Sequence, residues 1–119
     1  MEKVNLSEKF NRFSDHWSPK VIAELNDYQF KLVRISGSFI WHEHESTDEA
    51  FIVLEGSMTL DFEDQSIHLD AGEMIVVPKG VRHRPHAEEE CLVMLVEPKD
   101  VINTGAERSD LQAANDVWI

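Results

Sequence analysis

The stretch GSFIWHEHESTDEAFIVLEG, from Gly37 to Gly56, decides the fold and holds the first candidate ligands. Its first part, 38–43, is typical of a β-strand. The period of two in a strand sends the imidazoles of His42 and His44 to one face, with their Cα atoms about 6.5–7 Å apart. Two rings at that spacing can bind one ion. The pattern is weak evidence by itself, because two histidines also occur side by side on the surface of edge strands.

A carboxylate and a third imidazole extend this pattern. Glu49 begins the next predicted strand, 49–54, where a hairpin returns it beside the two histidines. Glu49, Phe51 and Val53 share one face of that strand, so the carboxylate lies above an apolar surface. A bare carboxylate there is unfavourable unless it is paired or bound to a metal. His83 follows further along the chain, after a Pro-Lys-Gly turn.

Three neutral imidazoles and one carboxylate make a candidate site for a divalent first-row metal: manganese, iron, cobalt, nickel, copper or zinc. The residue types do not determine which of these ions is bound. In a five- or six-coordinate ion, four protein ligands leave one or two positions open. Open positions distinguish catalytic and ligand-binding sites from closed structural ones.

The remaining sequence predicts strands throughout. Turn signals recur about every eight to twelve residues, and almost nothing after residue 20 has a helical period. This spacing predicts an all-β fold, a single antiparallel β-barrel or jelly roll. Glu88–Glu90 is expected to form a solvated turn between the last two strands. The predicted strands are 21–25, 28–35, 38–43, 49–54, 57–62, 65–69, 74–77, 82–87 and 91–97.

The two ends of the chain differ from this pattern. Residues 5–13 predict a short N-terminal helical turn with Ser7 as its N-cap. The segment 103–119 is polar until its last three residues, Val-Trp-Ile. It fits a loose tail, a short helix over 110–115, or a strap that docks Trp118 on a neighbouring chain, and the sequence leaves these alternatives open.

Length and composition limit the classes of function. The 119 residues suit one domain, 1–119, with an ordinary globular balance of 42% hydrophobic and 29% charged residues. Eleven Lys and Arg against 23 Asp and Glu give a formal charge of −12, which argues against nucleic acid as a partner. No apolar run is long enough to span a bilayer and no signal peptide is evident, so we expect no membrane association and a cytoplasmic location. Cys91 is the only cysteine, which excludes an internal disulfide.

Two segments resemble the conserved motifs of the cupin superfamily. Residues 37–56 are similar to its first motif, and GEMIVVPKGVRHRPHA, 72–87, is similar to its second. The resemblance implies a small single-domain cupin barrel. It also implies that the family's metal ligands are His42, His44, Glu49 and His83. Two departures are a shorter spacing after Gly37, by one residue, and Ala87 in place of the usual asparagine; the latter weakens any assignment to a particular enzymatic branch. The matching positions are His42, His44, Glu49, Gly56, Gly72, Pro78, Gly80 and His83.

The resemblance leaves several functions open. One is a metal-dependent enzyme acting on a small oxygen-rich molecule, either sugar isomerase- or epimerase-like or dioxygenase-like. The alternative is a non-catalytic, metal-dependent module that binds or senses a small molecule; a purely structural role would leave four complete ligands unused. Catalysis by proton transfer predicts a titratable residue beside the open metal positions, whereas a binding module predicts an apolar, proton-inert pocket. Apolar outer strand faces and the apolar C-terminus further predict a homodimer.

Other chemistry-bearing residues receive lesser roles. Arg34 and Arg82 are candidates for binding an anionic substrate, because a divalent ion with one carboxylate leaves a local charge of about +1. Cys91 lies in an apolar run and is expected to be a small buried hydrophobe. Three histidines are expected to lie outside the site, the first two at the surface without partners and the third at the surface or an interface: His16, His68 and His86.

Overall fold

The computed structural model describes residues 1–119 and contains one short helix and seven strands. The all-β prediction is therefore confirmed. The helix has five residues, and no helix of the chain is long and apolar enough to cross a membrane. The elements are α1 (Leu6–Phe10), β1 (Lys20–Leu25), β2 (Tyr28–Ser38), β3 (Glu49–Glu55), β4 (Ser57–Phe62), β5 (Ser66–Asp70), β6 (Met74–Val77) and β7 (His83–Pro98).

The sheet is organised around β7, whose 16 residues pair with three other strands. All strand pairs are antiparallel, and the order β1-β2-β7-β3-β6 is extended by β4, which pairs with β7 and β5. The first residues of β7 pair with β4, as in His83 opposite Phe62. Its later residues pair with β2 on one side and β3 on the other, so that Val93 lies opposite both Val33 and Val53. The long strand thereby rolls the sheet around one interior.

Alternate residues of the central strands fill this interior. On β3 the inward row is Glu49, Phe51 and Val53, as the alternation in the sequence predicts. On β7 the row runs through Cys91, Val93 and Leu95, all buried. The core occupies the middle of the barrel, and the polar members of these rows lie toward one end of it. That end is where the candidate ligands gather.

The predicted strands differ from the observed ones in two places. The segment 38–43 is not a strand of its own: β2 runs to Ser38, and the chain over 39–48 is a loop touched by one isolated bridge. The predicted strands 82–87 and 91–97 are a single strand, β7, so Glu88–Glu90 is not a turn. In the register with β2, Ile35 pairs with Cys91 and Gly37 with Ala87, which sets three residues against one. The acidic triplet is a bulge inside the strand, and it stays exposed because it loops away from the partner strand.

The termini also differ from the predictions. The N-cap of α1 is Asn5, not Ser7, because the Asn5 side chain accepts a hydrogen bond from the backbone N–H of Glu8 at 3.0 Å. No helix forms over 110–115. The C-terminus instead docks on β1 of its own chain: Val21 donates its N–H to Val117 and accepts one from Ile119. The C-terminal segment therefore docks on its own chain, while the side chain of Trp118 remains 48% exposed.

The segment after β7 packs closely on the 39–48 loop. Gly105 has a φ of +64°, and a Cβ added to it would collide with the backbone carbonyl oxygen of Glu43. We expect Gly105→Ala to lower the free energy of unfolding by about 2 kcal/mol, from the left-handed backbone and the clash together. Urea unfolding followed by tryptophan fluorescence measures the change.

The matched control for this substitution is Gly72→Ala. Gly72 has a similar φ of +87°, but a Cβ there meets no atom within 4 Å. Its replacement should cost only the backbone term, about 1 kcal/mol. Equal losses for the two variants would show that the clash between the added Cβ and Glu43 adds nothing to the cost of the Gly105→Ala substitution.

Candidate metal centre

Four side chains converge at one end of the barrel. One ligand atom from each of His42, His44, Glu49 and His83 lies within 4.8 Å of all the others, and all four residues are buried. The Glu49 Oε1 atom is 3.4 Å from His44 Nε2 and 3.6 Å from His83 Nε2. The structure thus brings together every ligand that the sequence predicts.

The loop 39–48, which carries His42 and His44, is not a strand. Backbone hydrogen bonds to neighbouring segments hold it in place. His42 and His83 exchange two backbone hydrogen bonds, of 3.0 and 2.9 Å, which join the loop to the start of β7. The carbonyl of His44 accepts from the N–H of Gly80 at 2.9 Å, and the Asp48 carboxylate accepts from the N–H of Lys79. The turn before β7 therefore fixes the loop that carries His42 and His44.

Backbone carbonyls orient two of the imidazole rings. Nδ1 of His42 lies 3.0 Å from the carbonyl oxygen of Ile40, and Nδ1 of His83 lies 2.8 Å from that of Val81. Because a carbonyl only accepts, each Nδ1 carries the proton and each Nε2 is left with a free lone pair. This arrangement is the usual one for metal-binding histidines, whose second nitrogen donates to a carbonyl or carboxylate.

Three polar atoms at the centre of the cluster have no hydrogen-bond partner: His44 Nε2, Glu49 Oε1 and His83 Nε2. A buried polar atom without a partner destabilises a fold by about 1–3 kcal/mol, so three of them facing one point need an explanation. A cation at that point would accept electron density from all three. The donor set, three imidazoles and a carboxylate, fits a divalent transition metal.

The protonation states also fit a cation. Burial, reinforced by the neighbouring His83, lowers the pKa of His42 to about 4. Burial alone would raise the pKa of Glu49, but the close imidazoles of His44 and His83 outweigh it and hold that pKa well below its usual range. At neutral pH the cluster therefore presents a neutral His42 and an ionised Glu49, which are the forms that bind metals.

The depressed pKa of His42 predicts acid sensitivity of the metal-free protein. In the unfolded chain His42 gains its proton near pH 6.5, whereas the folded chain resists until about pH 4. The unfolded state binds more protons in that interval, so stability falls as the pH is lowered. Between pH 7 and 4.5, the protein should lose about 2–3 kcal/mol more than a His42→Asn variant. Urea unfolding in the presence of a chelator measures both, and parallel pH profiles would contradict the assignment.

A cavity with an enclosed volume of about 40 Å³ lies beside the cluster and opens to solvent. Its walls are mainly apolar, and the rings of Trp17 and Phe39 stack there with centroids 4.7 Å apart. Phe39 also meets the ring of His42 edge-on at 5.2 Å. The cavity is lined by Trp17, Pro19, Val33, Ile35, Phe39, His42, Glu49, Phe51, Pro85, Val93, Leu95 and Asn103.

The polar side chains of this wall, other than the ligands, are already engaged. The Asn103 amide donates to the carbonyls of Trp17 and Leu111 and accepts from the N–H of Ala113. The indole N–H of Trp17 donates to the carbonyl of Ser36 at 3.0 Å. No titratable side chain besides His42 and Glu49 lines the cavity. Apart from these two residues and Asn103, the wall is apolar.

The two arginines proposed for anion binding lie elsewhere. Arg34 donates to the Glu90 carboxylate and to the carbonyls of Phe10 and Phe13, beneath the N-terminal segment. Arg82 forms an exposed ion pair with Glu107. Neither lines the cavity, so the structure does not support their role in binding a substrate there.

The lesser residues fall outside the cluster. Cys91 is fully buried, and burial raises the pKa of its thiol to about 11, which confirms that it is a buried hydrophobe. His86 is not part of the cluster, and its Nε2 lies 3.2 Å from Asp61 Oδ2. The expectation that the two surface histidines lack partners is wrong: His16 pairs with Glu90 and His68 with Asp70.

A buried charged pair behind Glu49 is absent from the sequence predictions. Lys31 Nζ lies 2.8 Å from Glu97 Oε1, with both side chains less than 5% exposed, and Glu97 is close enough to Glu49 for the two carboxyl groups to interact electrostatically. Burial and the charge of Glu49 raise the pKa of Glu97 well above its usual value, against the opposing effect of Lys31. The alternation of the strands could have identified both residues as inward-facing. Lys31 is two positions from the inward Val33, and Glu97 is two positions from the inward Leu95.

Comparisons with known proteins agree with this geometry. The family described as "Cupin domain" matches residues 32–97. A crystal structure of a cupin-2 domain-containing protein from Shewanella frigidimarina is 59% identical with a TM-score of 0.80, covering 81% of this chain and 94% of that one. A Neisseria meningitidis protein of known structure is 37% identical, with a TM-score of 0.76 and coverage of 82% and 99%. The uncharacterised protein YdbB of Bacillus subtilis is 38% identical over 79 residues, 66% of this chain and 70% of YdbB.

Proposed function

The chain belongs to the cupin domain family, and from that premise we propose that it binds one divalent first-row transition metal through His42, His44, Glu49 and His83. The observation that carries this proposal is the convergence of three buried, partnerless ligand atoms. A bound ion would relieve all three at once. When present, it would supply a Lewis-acidic position for an oxygen donor entering from the cavity.

We propose further that the site binds or senses a small molecule without catalysing proton transfer. Isomerases and epimerases move protons with a base placed within hydrogen-bond reach of the substrate. Here the only titratable side chains of the wall are the ligands themselves, and Asn103 has no free polar atom. Of the functions that the sequence leaves open, the metal-dependent binding or sensing module fits this cavity better than the sugar isomerase.

A dioxygenase-like activity is the second candidate, and the apolar wall favours it. Dioxygen is apolar, and its chemistry at a redox-active metal does not require a base from the protein. Trp17, Phe39 and Phe51 would exclude water from such a site. This candidate needs iron or another redox-active ion, whereas simple binding does not.

The metal content tests both candidates. Protein purified without added metal is analysed for its elements, stripped with a chelator, and titrated with manganese, iron(II), cobalt, nickel, copper and zinc in turn. We expect one ion per chain. Iron in the isolated protein would support the dioxygenase, and manganese or zinc would support binding. Protein that neither carries nor takes up any of these ions would overturn the proposal.

A further inference from the structure

We infer that the small molecule bound at this site is a compact monoanion with an oxygen-donor head and a small, branched apolar body. The inference rests on the proposed metal site and names the class of ligand that it takes. It departs from the expectation of an oxygen-rich, sugar-like molecule. Three observations carry it: the wall of the cavity, the state of its polar groups, and the balance of charge.

The wall is apolar on every side that the ligand body would touch. Val33 and Ile35 of β2, Phe51 of β3, and Val93 of β7 face the cavity, and Trp17 and Phe39 stack at its rim. The enclosed volume is only about 40 Å³, although the cavity opens to solvent, so it takes a small body. Burial of apolar surface would therefore provide most of the affinity outside the metal, and only for a compact body.

Hydroxyl groups on that body would find no free hydrogen-bond donor on the wall. The amide of Asn103 makes three hydrogen bonds within the protein, and the indole N–H of Trp17 makes one. A hydroxyl that leaves water and remains unpaired in an apolar site loses about tenfold or more in affinity. A polyhydroxylated ligand carries this penalty several times, so the cavity selects against sugars and sugar acids.

The charge of the site sets the charge of the ligand. A divalent ion and the carboxylate of Glu49 leave about one positive charge. No Lys or Arg lines the cavity, since Arg34 pairs with Glu90 and Arg82 with Glu107 outside it. One negative charge on the ligand is neutralised by the site, whereas a second would be buried without a partner.

Two carboxylic acids that differ in a single substituent test the inference. 2-Hydroxyisovalerate and 2,3-dihydroxybutanoate share the 2-hydroxycarboxylate head and the number of non-hydrogen atoms, and differ by a methyl replaced by a hydroxyl. With cobalt(II)-loaded protein, calorimetry and the visible absorption of the ion report binding. We expect 2-hydroxyisovalerate to bind at least tenfold more tightly. Equal affinities, a preference for the dihydroxy acid, or no binding of either acid would overturn the inference.

A wall variant locates the preference in the cavity. Val33→Thr keeps the volume of the side chain but adds a hydroxyl to the wall, and should reduce the preference at least threefold by giving the second acid a partner. Val53→Thr is the matched control, because Val53 is buried in the same core but does not line the cavity. Cobalt stoichiometry, measured on each sample, separates the two proposals: no bound cobalt means that the metal site itself fails. Bound cobalt without the methyl preference means that the ligand class fails.

Discussion

Glu49→Ala and His44→Ala should each weaken the binding of a divalent metal by at least about 100-fold. Loss of groups that merely support a ligand costs 10- to 100-fold in metal affinity, so loss of a ligand itself should cost no less. Glu49 is also the only anionic member of the cluster, and it lies 3.4 Å and 3.6 Å from the two nearest imidazole nitrogens. Competition against a chromophoric chelator, with the metal-free protein, measures the affinity.

The control is another histidine on the same strand as His83. His86 is half-buried and pairs with Asp61, outside the cluster. His86→Ala should leave the metal affinity within twofold of the parent. A 100-fold loss in all three variants would indicate general disruption of the barrel, and no loss in Glu49→Ala would mean that the carboxylate is not a ligand.

Thermal unfolding gives an independent readout of the same prediction. An ion that binds only the folded state stabilises it by about 2.7 kcal/mol when its concentration is 100 times the dissociation constant. The parent protein should therefore melt at a higher temperature when metal is added, and Glu49→Ala should not. Without metal, the difference between the two proteins should be smaller or reversed, because the variant removes a buried carboxylate oxygen that has no hydrogen-bond partner.

The sequence was sufficient to predict most of the strands and the four residues of the cluster because both depend on local patterns. Alternation places Glu49 on the inward face with Phe51 and Val53, and that placement holds in the structure. The argument that brought His42 and His44 together, the alternation of a strand, is only partly right. His42 and His44 do point to one place, but a loop paired to the start of β7 brings them there.

What the sequence could not supply depends on contacts between distant segments. The bulge at Glu88–Glu90 has the composition of a solvated turn, and only its register with β2 shows that the strand continues through it. Whether the cavity offers free polar groups depends on Asn103, whose amide is hydrogen-bonded to groups from both ends of the chain, Trp17 and Ala113. Alternation marked Lys31 as inward, but its partner Glu97 is 66 residues away.

That buried pair should show the largest effect on stability. Lys31→Met is expected to lower the free energy of unfolding by about 3–5 kcal/mol, because it leaves Glu97 buried beside Glu49 without a cation. Arg12→Met is the matched control: Arg12 and Glu8 form an ion pair at a surface where both side chains are 50% exposed. An exposed pair contributes about 0–1 kcal/mol, so that variant should change little. Urea unfolding of the metal-free proteins gives both values.

The pH dependence and a double variant separate lost charge balance from lost packing. The pKa of Glu97 is raised in the folded state, so the unfolded chain releases that proton first and stability falls as the pH rises above about 4.5. Removing Lys31 raises this pKa further, and the loss caused by Lys31→Met should therefore be larger at pH 8 than at pH 5. Lys31→Met combined with Glu97→Leu removes the unpaired charge and should recover most of the stability. If the double variant were as unstable as the sum of the single variants, the defect would be one of shape, and Lys31 would not act as the counter-charge to the carboxylates behind the metal site.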